Sequence, residues 1–66
     1  MKLLVNGETH LVDGADTLDA LLLLLNVTRQ NLVVELNGEV IAPQLYEQTA
    51  LHEGDQLELI RFVGGG

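Results

Sequence analysis

The sequence predicts an α+β fold in which a mixed sheet of four to five strands packs on one helix. Two Asn-Gly pairs, Asn6-Gly7 and Asn37-Gly38, each lie between short apolar runs, which is the pattern of a β-hairpin. Between the two hairpins, a run of leucines has the spacing of an amphipathic helix. A last apolar run, QLELIRFV, predicts a final strand. The expected order is strand, strand, helix, strand, short strand, turn, strand.

Size and composition exclude several classes of protein. The chain has 66 residues, close to the lower limit for one domain with its own core. Hydrophobic residues make up 47% and aromatic residues 3%, so the core must be aliphatic. Cysteine is absent, which excludes disulfides, thiolate metal sites and thiol nucleophiles. Serine is also absent, which excludes a Ser-His-Asp triad and a serine-linked phosphopantetheine.

The charge argues for a protein partner. The formal net charge is −7, and the only lysine and arginine residues are Lys2, Arg29 and Arg61. That set is too small for a phosphate-binding patch, whereas an acidic surface favours encounter with a basic protein. The longest apolar stretch, ALLLLLNV, is much shorter than the roughly 20 residues of a membrane-spanning helix. We therefore expect a cytoplasmic protein that binds neither nucleic acid nor membrane.

Alternation assigns the first hairpin in part. In the first strand, Leu3 and Val5 are expected to face the core. The second strand leaves two possibilities, because either Leu11 faces the core or His10 and Val12 do.

The helix is expected to begin at an N-cap, Asp16, and to end at Asn26. Its apolar stripe at i, i+3, i+4 and i+7 consists of Leu18, Leu21, Leu22 and Leu25. Leu23 and Leu24 lie off this stripe, so they either widen it or face outward. Further along, Leu45 and Tyr46 are expected to be tucked inward in a short turn after the second hairpin.

In the last strand, Leu57 and Leu59 are expected to face the core, which turns Ile60 and Phe62 outward. Exposed apolar residues beside the end of the chain can form a docking patch. The alternative is that they pack under a loop or pair in a dimer.

The three final glycines, Gly64, Gly65 and Gly66, suggest a second region, so we divide the chain into a domain at 1–63 and a flexible tail at 64–66. A tail without Cβ atoms can pass through a channel too narrow for side chains. It also presents an unhindered carboxylate, which an activating enzyme can convert to a reactive acyl-adenylate. The alternative is an idle, disordered end. We find no intrinsic catalytic set and no metal site, and assign His10 and His52 surface or hydrogen-bonded structural roles.

Four segments together resemble a known family: LLVNGE, DTLDALLLLL, VVELNGEVI and EGDQLELIRFVGGG. Their order, spacing and terminal glycines resemble the ThiS family of sulfur carriers, which have the ubiquitin-like β-grasp fold. The resemblance covers essentially the whole chain. It implies a carrier protein of thiamine biosynthesis that is not itself an enzyme.

The resemblance also implies roles for individual residues. Gly66 would be adenylated and then carry sulfur as a thiocarboxylate, while Gly65 and Gly64 would thread the partner's channel. Phe62 and Val63 would contact partners, with Ile60 as a weaker candidate for the same surface.

The implied partners are a ThiF-like adenylating enzyme, a ThiG-like thiazole synthase and a sulfur donor such as a cysteine desulfurase. ATP and Mg²⁺ would be used by the activating partner, and no cofactor would be bound by the chain itself. Two alternatives stay open. One is a MoaD-like carrier for molybdopterin synthesis, and the other is a non-catalytic β-grasp binding module with an idle tail.

Overall fold

The computed structural model describes residues 1–63, which form a five-stranded sheet, an α-helix and a 3₁₀ helix. The strands are β1 (Lys2–Val5), β2 (Glu8–Leu11), β3 (Leu32–Leu36), β4 (Glu39–Ile41) and β5 (Gln56–Arg61). The helix α1 spans Leu18–Leu24, and the 3₁₀ helix spans Pro43–Gln48. The tail predicted at 64–66 lies outside the described residues.

The last strand lies in the middle of the sheet, whose order is β2-β1-β5-β3-β4. Strand β5 is parallel to β1 and antiparallel to β3, and each hairpin supplies one outer pair of strands. The buried face of α1 packs in the same core as the inward side chains of the sheet. The expected α+β fold with a mixed sheet on one helix, the ubiquitin-like β-grasp, is confirmed.

Both Asn-Gly turns have the backbone that the sequence predicts. Asn6 and the following glycine have φ of 52° and 81°, and Asn37 and its glycine have φ of 51° and 85°. Positive φ at both positions is the requirement of a type I′ hairpin turn. Each asparagine also fastens its turn to β5: Asn6 Oδ1 accepts from the Leu59 N–H at 2.7 Å, and Asn37 Oδ1 accepts from the Gln56 N–H at 2.9 Å.

The prediction that Asp16 caps α1 is wrong, because the N-cap is Thr17. Its side-chain oxygen accepts from the Ala20 N–H at 3.2 Å. Thr17 is still extended, and it forms an isolated bridge with Ala50. This tertiary contact places the first helical residue at Leu18, so Asp16 lies one position too early to reach the free N–H groups.

The end of α1 agrees with the sequence. Asn26 has φ of 58°, a left-handed conformation that asparagine tolerates better than most residues. The Asn26 N–H bonds to Leu23 O at 3.1 Å, and the Val27 N–H bonds to Leu22 O at 2.9 Å. This pair of bonds is a Schellman motif, which satisfies carbonyls that the helix end would leave free.

The core is aliphatic, as expected from the composition. Its buried residues are Leu3, Val5, Val12, Ala15, Leu18, Leu21, Leu22, Leu32, Val34, Tyr46, Leu51 and Leu57. Leu25 packs against this core while remaining partly exposed. Leu23 and Leu24 are exposed, which settles the open question of the helix stripe in favour of an outward position.

Two further sequence questions are settled by burial. At the second strand of the first hairpin, Val12 is buried and His10 is half-buried, while Leu11 is 85% exposed. His10 and Val12 therefore face the core, and Leu11 does not. After the second hairpin, Tyr46 is buried as predicted, but the inward placement of Leu45 is wrong, since that side chain is exposed. In a 3₁₀ helix, neighbouring side chains point about 120° apart, so Leu45 is turned away from the core while Tyr46 faces it.

Candidate functional site: the end of β5 and the outer face of the sheet

Three apolar side chains are exposed where β5 ends. Ile60 is 43% exposed, Phe62 50% and Val63 97%. The residues that alternate with them behave as predicted, because Leu57 is buried and Leu59 packs against the core. The register of the last strand is therefore confirmed. Ile60 and Phe62 lie on the side of the sheet opposite α1, which we call the outer face.

The apolar surface continues onto the neighbouring strands. In the ladder between β3 and β5, Val33 lies directly opposite Ile60. On β4, Val40 is 63% exposed and lies opposite Glu35. The outer face therefore presents apolar side chains across three strands, next to the point where the tail begins.

An acidic pair lies in the same surface. Glu35 and Glu58 are directly opposite each other in the β3–β5 ladder, and both belong to the outer face. Opposed like charges on adjacent strands destabilise a sheet. The ion pairs formed within residues 1–63 involve Asp19 and Asp55, so neither glutamate has a cationic partner in this part of the chain.

The backbone at the base of the tail is held by the connection between α1 and β3. The Phe62 N–H donates to Asn31 O at 3.0 Å, one position beyond the last residue of β5. The Arg61 guanidinium donates to Gln30 O at 2.6 Å and to Thr28 O at 2.8 Å. These three bonds fix the chain as far as Phe62.

Residues 1–63 away from the end of β5 contain few of the features that a ligand site requires. This part of the chain has no group of three histidine, aspartate or glutamate side chains that could hold a metal ion, and it has no cavity.

Burial raises the pKa of the Tyr46 hydroxyl, an effect that the nearby Arg29 guanidinium opposes. No helix within residues 1–63 has the length and apolar character needed to cross a membrane.

Comparison with known proteins assigns the chain to a family. Residues 3–66 match the ThiS family, which is almost the whole sequence. The chain belongs to the ThiS family. It is 34% identical over 50 residues to the sulfur carrier protein ThiS of Bacillus subtilis, covering 76% of each chain.

A solved structure supports the same membership. The chain is similar to the crystal structure of the thiamine biosynthesis protein ThiS from Geobacter metallireducens, with a TM-score of 0.85 and 40% sequence identity. The match includes the full length of both proteins. The resemblance to the ThiS sulfur carriers, stated from four sequence segments, is thus confirmed together with the fold.

Two longer relatives are thiazole synthases. The protein of Paramagnetospirillum magneticum is 41% identical over 66 residues, and that of Magnetococcus marinus is 38% identical over 66 residues. This ThiS-family chain spans about a fifth of the length of each of them. A segment similar to the whole chain therefore occurs within a larger thiazole synthase polypeptide.

The structure brings only part of the predicted site together. Ile60, Phe62 and Val63 are all exposed at the end of β5 or just after it, while Gly64, Gly65 and Gly66 lie outside the described residues. Sequence reasoning missed the acidic pair and the bonds of Arg61. Alternation indicates that Glu58 faces outward, but the glutamate that lies opposite it depends on the register between β3 and β5.

Proposed function

We propose that this ThiS-family chain is a sulfur carrier of thiamine biosynthesis and that the carboxylate of Gly66 carries the sulfur. In the first step, a carboxylate oxygen attacks the α-phosphorus of ATP, and pyrophosphate leaves. In the second, a sulfur nucleophile attacks the carbonyl carbon of the acyl-adenylate, and AMP leaves. Hydrosulfide gives the thiocarboxylate directly, whereas a persulfide gives an acyl disulfide that a thiol must then reduce.

The observation that carries this proposal is the family match, which extends through the three terminal glycines. Two properties of the chain support it. Cysteine is absent, so no side-chain thiol can hold the sulfur, and the main-chain carboxylate is the group left to do so. The exposed apolar residues Ile60, Phe62 and Val63 come just before the glycines. An activating enzyme that binds the tail would contact the domain at this point.

The partners follow from the two steps. A ThiF-like adenylating enzyme would supply the ATP and Mg²⁺ site, and a cysteine desulfurase is the proposed sulfur source. A ThiG-like thiazole synthase is the proposed acceptor, and the two thiazole synthase relatives that contain a similar segment support it. Each partner would exclude water from the activated carbonyl, since both the adenylate and the thiocarboxylate are open to hydrolysis.

The outer face indicates what the partner surfaces are like. An apolar patch that accepts Ile60 and Phe62 would lie beside a guanidinium or ammonium group that neutralises Glu35 and Glu58. A net charge of −7 would also speed the encounter with such a basic surface, most strongly at low salt.

Intact-mass analysis tests the proposal. After incubation with ATP, a sulfur source and an E1-like adenylating enzyme, the wild-type chain should gain the mass difference between sulfur and oxygen, located in the C-terminal peptide. Deletion of Gly65 and Gly66 should abolish the gain while the fold is kept. Gly65→Val should greatly slow it, because a branched side chain cannot follow a glycine through a narrow channel.

Three results would contradict the proposal. The first is a wild-type chain that is never adenylated by an enzyme active on another ThiS protein. The second is a truncated chain that still gains sulfur. The third is a truncated chain that retains all of its partner-dependent activity, which would indicate a binding module with an idle tail. Transfer to a molybdopterin synthase large subunit but not to a thiazole synthase would indicate the MoaD-like alternative.

A further inference from the structure

The connecting loop between α1 and β3, residues 25–31, is held by two of the three lysine and arginine side chains of the protein. Arg29, within the loop, forms an ion pair with Asp19 on α1 and donates to the Asp19 backbone oxygen at 3.2 Å. Its guanidinium carbon also lies 5.9 Å from the centroid of the Tyr46 ring. One side of the loop is thereby fixed to the helical layer.

Arg61 fixes the other side of the loop to the end of β5. It has the inward parity of Leu57 and Leu59, but it lies opposite Leu32, at the edge of the core, and its side chain is exposed. At that position the planar guanidinium donates to Thr28 O and Gln30 O together. A fork of N–H donors can bond two separate carbonyls at once, which a single ammonium group does less well.

The consequence is a fixed origin for the tail. The last pair of the β3–β5 ladder is Leu32 with Arg61, and the Phe62 N–H bond to Asn31 O follows it. Gly66 is four residues beyond Phe62, so an extended chain places it within about 14 Å of that point. A partner docked on the outer face of the sheet therefore meets the reactive end inside a small volume.

Without the Arg61 bonds, the end of β5 is expected to open. The next pair of the β3–β5 ladder, Val33 with Ile60, would stop the opening. An opening back to Ile60 would lengthen the chain between the last fixed residue and Gly66 by about half, from four residues to six. The effective concentration of the carboxylate at a partner's active site would fall accordingly.

We infer that Arg61 is a positioning residue: by bonding the carbonyls of the connecting loop, it sets the point at which the tail leaves the domain and the reach of its carboxylate. This inference rests on the proposed function, since it concerns the step in which Gly66 is activated. Arg61 does not touch the reacting atoms and acts through the backbone of Phe62.

The test compares Arg61→Met and Arg61→Lys with Lys2→Met, which removes the same charge at the far end of β1. Amide exchange measured by NMR should show the Phe62 N–H protected in the wild type and in Lys2→Met, but unprotected in Arg61→Met. With a ThiF-like enzyme, kcat for adenylation should fall at least about twofold in Arg61→Met, because the carboxylate is held less close to the active site. KM should rise as well, because the freed Phe62 belongs to the docking surface. Arg61→Lys should recover less than half of the lost rate.

Several outcomes would overturn the inference. Persistent protection of Phe62 in Arg61→Met would show that Arg61 does not hold the strand end. Full recovery with lysine, or an equal loss in Lys2→Met, would assign the effect to charge. Normal kcat in a chain whose Phe62 is unprotected would show that the strand end does not control reach. A wild type that is not adenylated would instead refute the proposed function, while the exchange result would still test the anchor. Arg61→Gln replaces Arg61→Met where the methionine variant does not fold.

Discussion

At the scale of single residues, the end of β5 assigns opposite roles to adjacent side chains. Leu57 and Leu59 contribute to the core, whereas Ile60 and Phe62 face solvent from the other side of the sheet. Arg61 points to the same side of the sheet as Leu57 and Leu59, but it lies beyond the edge of the core, where a charged side chain remains exposed. Two-residue alternation thus separates residues that stabilise the domain from residues that are free to contact a partner.

Phe62→Asp should weaken partner binding without unfolding the domain. Half of the Phe62 side chain is exposed and it is not part of the buried core, so its loss costs little on folding. A partner's apolar pocket would, however, have to accept a carboxylate. Leu23→Asp is the matched control, since Leu23 is exposed on α1 and away from the outer face. Affinity for a ThiF-like enzyme, measured by calorimetry, should fall at least tenfold for Phe62→Asp only; equal losses would remove Phe62 from the interface.

Glu58→Gln should stabilise the free domain. Removing one charge from the opposed Glu35 and Glu58 pair relieves a cross-strand repulsion, for an expected gain of about 0.2–1 kcal/mol in the free energy of unfolding. Glu39→Gln is the control. It removes the same charge, but Glu39 lies opposite Leu36 and so has no opposed carboxylate. Urea unfolding at low salt measures the difference. A Glu58→Gln variant no more stable than Glu39→Gln would show that solvent already screens the pair.

At the scale of elements, local sequence determines the turns and the helix end, while tertiary contacts determine the helix start. The positive φ of Asn6 and Asn37 follows from the Asn-Gly pairs themselves. The start of α1 is different, because two adjacent residues, Asp16 and Thr17, are both good capping residues. The bridge between Thr17 and Ala50, a residue far along the chain, selects Thr17.

Thr17→Ala should therefore destabilise the domain and Asp16→Ala should not. Loss of the bond from the Ala20 N–H to the Thr17 side chain leaves that N–H without its cap, at a cost of about 1 kcal/mol. Asp16 is exposed, and its replacement should change the free energy of unfolding by less than about 0.5 kcal/mol. Urea unfolding of both variants measures this difference. If Asp16→Ala were the less stable variant, Asp16 would be the N-cap and Thr17 would not.

At the scale of the whole molecule, one aliphatic core supports both the sheet and the helix. A domain of 66 residues has little stability to spare, commonly about 3–5 kcal/mol without disulfides or metal. Fully buried leucines from β1, α1 and β5 meet in this core: Leu3, Leu18, Leu21, Leu22 and Leu57. Loss of one of them removes a large share of the total free energy of unfolding.

Leu21→Ala and Leu23→Ala provide a matched comparison within one helix. Leu21 is fully buried, and its truncation should cost about 2–5 kcal/mol, enough to unfold much of the population at 25 °C. Leu23 is 70% exposed, so the same truncation should stay within about 0.5 kcal/mol. Circular dichroism during thermal unfolding distinguishes the two. Similar melting temperatures would mean that the helix is rotated from the position described.

The sequence by itself determined the order of the elements, both hairpin turns, the buried stripe of α1 and the outward position of Ile60 and Phe62. Each of these depends on contacts between residues near in the chain, or on a periodicity that local geometry imposes. Tertiary structure alone decided the parallel pairing of β1 with β5 and the choice of Thr17 as N-cap. It also decided that Glu35 lies opposite Glu58 and that Arg61 donates hydrogen bonds to the connecting loop. These depend on which distant segments come together, and a linear pattern does not record the register between segments that meet only after folding.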